Sequence, residues 1–120
     1  MNKIGTAVIG AGKVGYTHAD AYAGVPESRF VAVASRDPAK VADFVAKYGV
    51  RGYTDLDAML ADPEVQAVSI CTPQGSHVDL AVRAARAGKH VLLEKPMAVD
   101  LRGCDAIITA CEAAGVKLGI

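Results

Sequence analysis

A six-residue, mainly apolar stretch, Ile4 to Ile9, runs straight into Gly10-Ala11-Gly12-Lys13-Val14-Gly15. Few folds place three glycines at this spacing directly after a strand. Gly10 permits a tight turn out of the strand. Gly12 has no side chain to keep a ligand off the backbone. Gly15 lets the next helix pack close to the strand. That helix begins with N–H groups that have no partner and with the positive end of its dipole, which suits a phosphate. The pattern predicts a strand–turn–helix that cradles the pyrophosphate of a dinucleotide, with Gly10, Gly12, Lys13, Val14 and Gly15 as candidate contacts. Taken alone, the hexapeptide is also compatible with an ordinary glycine-rich loop.

The rest of the chain alternates apolar runs with helical faces. Phe30–Ala34, Val50–Tyr53, Val65–Cys71, His90–Leu93 and Val116–Ile120 read as further strands. A helix from Lys13 to Gly24 follows the first strand. Asp37-Pro38 supplies an N-cap and a first helical proline, Val41, Phe44, Val45 and Tyr48 share one face, and Gly49 closes that helix. Thr54 is expected to cap a brief helix carrying Leu56, Met59 and Leu60. Val78, Ala81, Val82 and Ala85 mark another helix, ended by Gly88. Leu101, Cys104, Ile107, Ile108 and Cys111 mark the core face of a long one. Continuous apolar strands are buried on both faces, as in a parallel sheet covered by helices. The alternation predicts an α/β fold: a doubly wound parallel sheet (Rossmann) of six strands in order 3-2-1-4-5-6, one domain over residues 1–120.

Composition narrows the partners. Thirteen Lys and Arg balance thirteen Asp and Glu, so no basic field exists for nucleic acid or an acidic membrane. No apolar run is long enough for a bilayer, and the opening one is too short, and too broken by Gly5, to read as a leader. With no Trp and 5% aromatics, an aliphatic core is expected. Cys71, Cys104 and Cys111 form no C-x-x-C pair and fit a reduced, cytoplasmic protein, and scattered ligand types predict no metal site.

Open α/β sheets bind ligands beyond the carboxyl ends of their strands, where strand order reverses. Three segments besides the glycine turn fall there: Ser35-Arg36-Asp37, Thr72-Pro73-Gln74-Gly75-Ser76-His77, and Glu94-Lys95-Pro96. About 20 residues beyond the glycines an acidic residue usually meets the adenosine ribose. Here that position is Ser35, which can donate to a 2′-phosphate, and Arg36 beside it can neutralise one. NADP(H) is therefore favoured, with NAD(H) possible. Asp37 is assigned to the helix cap rather than to the ribose. Thr72, Pro73, His77, Glu94 and Lys95 are further candidate cofactor contacts, with capping or packing as the alternative for His77. His18 is expected to pack or to bond a neighbouring loop. Lys95 lies on the rim where a nicotinamide would lie. It is either a solvated charge or the group that takes a hydroxyl proton as hydride leaves.

The opening Ala7-Val8-Ile9-Gly10-Ala11-Gly12-Lys13-Val14-Gly15 with His18, then Cys71-Thr72-Pro73 running to His77, then Glu94-Lys95-Pro96, together resemble the glucose–fructose oxidoreductase, inositol dehydrogenase and rhizopine-catabolism (Gfo/Idh/MocA) family. The resemblance implies an NAD(P)-dependent oxidoreductase acting on sugars, polyols or related compounds, with Lys95 in the catalytic-lysine position. Two residues depart from the family pattern: Gln74 stands where Asn is common, and Ser35 where an acidic residue is common. The resemblance also implies a second, mixed-sheet domain that forms the substrate pocket and makes the full-length enzyme a homo-oligomer. The 120 residues then read as the cofactor domain alone, without the substrate domain and inactive by themselves. A stand-alone NADP(H)-binding or regulatory module, and an NAD-dependent glycosidase of the same family, are the competing readings.

Overall fold

The computed structural model describes residues 2–120. Six strands and five α-helices alternate along the chain: β1 (Ile4–Ile9), α1 (Lys13–Gly24), β2 (Ser28–Ala34), α2 (Pro38–Tyr48), β3 (Arg51–Tyr53), α3 (Leu56–Leu60), β4 (Ala67–Ile70), α4 (His77–Arg86), β5 (His90–Leu93), α5 (Leu101–Ala114) and β6 (Leu118–Gly119). A single 3-10 turn, Gln74–Ser76, precedes α4. All strand pairs are parallel, in the order β3-β2-β1-β4-β5-β6 expected from the alternation. Strand order reverses between β1 and β4, so the ligand edge is centred on their carboxyl ends.

Strand β1 is buried from Gly5 to Ile9, which is what an apolar strand covered on both faces requires. Its side chains feed two core layers. Ala7 and Ile9 join Val68, Ile70, Val91, Leu93, Ile107 and the alanines Ala81, Ala84 and Ala85 of α4. Val8 joins Ala19, Val33, Val41 and Phe44 under α1 and α2. Between β1 and β2 the register slips: Thr6 faces Phe30 but Ala7 faces Ala32, so Val31 is one residue extra.

The core is aliphatic as expected, and among the described residues Phe44 is its one buried aromatic, set in a cluster of half-buried rings. Phe44 is fully buried, with the rings of Tyr16 at 4.1 Å and Tyr48 at 5.5 Å between centroids, and Phe30 lies against Tyr48. Tyrosine serves there because its ring fills the layer while its hydroxyl reaches the surface, as Tyr48 does in donating to Asp20 at 2.6 Å.

Other expectations need correction. Asp55, not Thr54, caps α3, accepting from the Asp57 N–H at 3.0 Å. The buried seam of α5 runs through Gly103, Ile107 and Cys111, whereas Leu101 is 82% exposed and Ile108 is exposed. Gly103 is the reason. A Cβ there would stand 2.9 Å from both Ala98 Cβ and Val78 Cγ2, so the glycine sets the close approach of α5 to α4. Strands β4 and β6 are shorter than their apolar runs, although Val65 outside β4 is still buried. At the amino edge of the sheet, Lys89 donates to the carbonyls of Asp62 at 3.1 Å and Val65 at 2.6 Å, and burial pulls its pKa down. No helix among the described residues is long and apolar enough to cross a membrane.

Candidate functional site

Each strand on the carboxyl edge is extended one residue by a backbone hydrogen bond to its neighbour. The Gly10 N–H donates to Ala34 O (2.9 Å), Ser35 to Tyr53 O (3.1 Å), Cys71 to Ile9 O (2.8 Å) and Glu94 to Ile70 O (3.1 Å). These bonds line up the starts of the four loops singled out in the sequence.

The glycine turn behaves as its spacing requires. Gly10 has φ of +108°, and a Cβ on it would stand 2.8 Å from the Cys71 carbonyl oxygen. A Cβ on Gly15 would collide with the carbonyl oxygen of Gly10. A Cβ on Gly12 would meet nothing within 4 Å, because that backbone faces open space. Gly12 is the N-cap of α1, no side chain caps this end, and the first turn carries no acidic residue. The N–H groups that open α1 are thus left for an outside acceptor. In α2, by contrast, Asp37 fills this role, accepting from Ala39 at 3.0 Å and Lys40 at 3.5 Å. Its carboxylate is engaged as the sequence suggested.

A cleft of about 860 Å³ lies along this edge. It brings together Gly10, Gly12, Ser35, Arg36, Thr72 and Pro73 of the expected contacts. Lys13, Val14, Gly15, His77, Glu94 and Lys95 do not line it. Lys13 and Val14 are exposed on the first turn of α1, and Gly15 is buried beneath it. Lys40, Thr54, Leu56, Leu80 and Arg83 line the cleft and were not among the expected cofactor contacts. Lys40 carried a usable signal, since it lies one helical turn beyond Arg36 on the same rim. Arg83 carried none: its guanidinium is tied to Asp57 at 2.6 Å, across 26 residues of sequence. Arg36 and Lys40 against Asp37 leave the rim beside Ser35 with one net positive charge.

His77 is 1% exposed, and its ring lies 2.8 Å from Pro96 O through Nδ1 and 2.9 Å from Thr72 O through Nε2. Both nitrogens face backbone carbonyls, to one of which a neutral ring donates, so this ring turns no polar atom to the cleft. It packs, and it pins the β4–α4 loop to the Lys95-Pro96 turn, whose peptide bond is cis. Cys71 ends β4 beside the cleft, and burial, with the Glu94 charge, pushes its thiol up to about 12. Both effects disfavour the thiolate, which is the nucleophilic form.

Lys95 is exposed at the end of β5 and makes no ion pair among the described residues. Glu94 accepts from His18 Nε2 at 2.9 Å, and that bond, ahead of the Lys95 N–H and charge, holds its carboxyl below the usual carboxylate range. His18 thus bonds a neighbouring loop, as expected.

Residues 4–120 match the Gfo/Idh/MocA model, described as an oxidoreductase family with an NAD-binding Rossmann fold. The inositol 2-dehydrogenase of Rhizobium meliloti is 39% identical over 109 residues, covering 88% of this chain and 33% of that protein. GenD2 from gentamicin A biosynthesis, solved with NAD, superposes with a TM-score of 0.95 at 32% identity, covering 99% of this chain and 34% of its own. A variant of KijD10, a 3-ketoreductase from Actinomadura kijaniata solved with TDP-benzene and NADP, gives 0.93 at 30% identity, covering 98% and 36%. The chain spans about a third of the length of these relatives. By its sequence from Ile4 to Ile120 and by its strand order, the chain belongs to the Gfo/Idh/MocA oxidoreductase family, with that family's NAD-binding Rossmann fold.

Proposed function

We propose that this chain is the cofactor domain of a dehydrogenase of sugars or polyols, and that it prefers NADP(H) to NAD(H). The observation that carries the reading is the cleft itself. It joins a helix N-terminus without a capping side chain to a rim of Ser35, Arg36 and Lys40. The residues present fit a dinucleotide. Open backbone at Gly12 admits the pyrophosphate, and the free N–H groups of α1 donate to it. Ser35 and Arg36, which line the cleft, would hold a 2′-phosphate, with Lys40 as a second cation, while the Asp37 carboxylate is occupied by the α2 cap. Thr72 and Pro73 form the opposite wall. Relatives bind either cofactor, so the preference rests on this rim.

When bound, the nicotinamide supplies the hydride chemistry. Lys95 is assigned the proton: its amine takes the proton of a substrate hydroxyl, or its ammonium returns one in reduction. The sugar or polyol class is supported by relatives named for inositol and for UDP-N-acetylglucosamine. Near-attack geometry requires a pocket that holds substrate against the cofactor. The reading assigns that pocket to a second domain outside these residues, so turnover by the 120 residues alone is expected to be negligible. Calorimetric titration of the chain with NADPH and NADH is the test. Tighter binding of NADPH is expected, by about 10- to 100-fold for one added charged hydrogen bond. Equal or tighter binding of NADH would refute the preference.

A further inference from the structure

Four side chains from α1, β4 and the end of β5 form one hydrogen-bonded line behind the Lys95 rim. The Tyr22 hydroxyl lies 2.6 Å from Ser69 Oγ, Ser69 Oγ lies 2.9 Å from His18 Nδ1, and His18 Nε2 lies 2.9 Å from Glu94 Oε2. Ser69 is fully buried, and no buried side-chain N or O among the described residues lacks a partner.

The donor inventory fixes the direction of the line. An ionised Glu94 only accepts, so His18 Nε2–H donates to it. In a neutral ring Nδ1 is then a bare acceptor, and the Ser69 hydroxyl donates to it. Ser69 Oγ in turn accepts from Tyr22. Burial, ahead of its other neighbours, raises the Tyr22 pKa above its ordinary value, so that hydroxyl keeps its proton. With its proton on Nδ1 instead, a neutral ring would turn a bare Nε2 toward the acceptor-only Glu94 carboxylate. Glu94 therefore selects the tautomer of the neutral His18 ring, and Ser69 and Tyr22 complete the line behind it.

The far end of the line bears on chemistry. Glu94 is the immediate neighbour of Lys95, and its carboxylate feels both the Lys95 N–H and the Lys95 charge. It is nonetheless bonded to His18, and Lys95 has no ion pair among the described residues. We propose that His18 is a positioning residue that sequesters the Glu94 carboxylate and so keeps the Lys95 amine unpaired at the rim. This rests on Lys95 as the proton carrier. A lysine paired with a carboxylate is held as ammonium, and a proton acceptor must not be.

The test reads the amine directly. Trace acetylation with acetic anhydride modifies only the unprotonated amine, and Lys3 serves as an exposed internal reference. In the 120-residue chain, His18→Phe is expected to slow labelling of Lys95 about fivefold relative to Lys3, the factor for about 1 kcal/mol of new charge pairing. His18→Gln, whose amide still donates to Glu94, is expected to restore the rate. The double variant with Glu94→Gln is expected to restore it as well. Unchanged labelling in folded His18→Phe would overturn the proposal. Should that variant fail to fold, nitrogen NMR of the unaltered chain decides. A protonated Nε2 with a bare Nδ1 supports the keyed ring, and the opposite tautomer overturns it. None of these readouts involves a cofactor. A chain that binds neither NADPH nor NADH but labels as expected would refute the proposed function and leave the positioning role standing.

Discussion

Gly12→Ala separates folding from ligand binding at a single atom. The new methyl meets no protein atom within 4 Å. The backbone there, with φ −92° and ψ −167°, is open to any L-residue. Two small effects on stability oppose each other. Alanine restricts the unfolded chain, which stabilises by about 0.4–1 kcal/mol. It is also a poorer N-cap than glycine, which costs roughly 0.5–1 kcal/mol. The melting temperature is expected to stay within about 5 °C of the unaltered chain. Binding responds differently, because the methyl occupies the space through which a pyrophosphate oxygen reaches the N–H groups of α1. Loss of one charged hydrogen bond costs about 1.5–3 kcal/mol, or about 10- to 100-fold in affinity. Thermal unfolding by circular dichroism and calorimetric titration with NADPH measure the two quantities on one sample. Gly15→Ala is the contrast: its methyl collides with the Gly10 carbonyl, and stability is expected to fall by about 1–3 kcal/mol. A Gly12→Ala chain that keeps both its melting temperature and its full NADPH affinity would refute a pyrophosphate at this backbone.

Ser35→Asp exchanges a donor for a carboxylate beside Arg36 and should reverse the cofactor preference, with NADPH weakened about 10- to 100-fold while NADH holds or gains, as read by the same titration. Gly103→Ala should cost about 1–3 kcal/mol in urea unfolding, because its Cβ would be pressed against Ala98 and Val78 at 2.9 Å. Asp62 supplies a pH signature. Burial alone would raise its pKa, but the Glu64 N–H, the Tyr53 hydroxyl and Arg51 together hold it below its usual 3.8. A carboxyl with a depressed folded pKa contributes stability above its unfolded value, and that stability is lost as pH falls through the folded one. Asp62→Asn should therefore destabilise most at neutral pH, and the gap from the unaltered chain should close below pH 3.8 in urea titrations at stepped pH.

What could be read from the sequence was local. Gly10 and Gly15 specify a turn through local demands, a positive φ at the first and close approach to the Gly10 carbonyl at the second, whereas Gly12 leaves its backbone open. Asp37-Pro38 and Gly49 specify the ends of α2 for the same reason, and the cap and the left-handed φ of 69° are both present. The α5 face was misread because a pattern of apolar side chains gives no weight to glycine, and Gly103 has no side chain to count. Arg83 escaped because nothing in its neighbourhood distinguishes an arginine lining a cleft from one in solvent, whereas the spacing of Lys40 from Arg36 was a usable signal. The His18 line was out of reach for another reason. Its bonds join residues 47, 51 and 76 positions apart, and only the strand order brings them together.

That strand order also bears on how the rim is organised. In the proposed function the glycine turn and the Ser35 loop hold phosphates and Lys95 carries the proton, and these segments follow different strands. They are coupled through β4. Its last residues pair with β1 on one side, and the Thr72 carbonyl that follows bonds His77, whose ring also bonds Pro96 on the β5 side. A loosened β4–α4 loop would therefore disturb both the cleft wall at Thr72 and Pro73 and the turn that presents Lys95. A buried histidine with no contact to the cleft is in this way positioned to affect cofactor affinity and amine placement together. His18 acts only on the second. The two histidines thus make separable demands on the same edge: one holds the loops in register, and the other decides which charge stands beside the lysine.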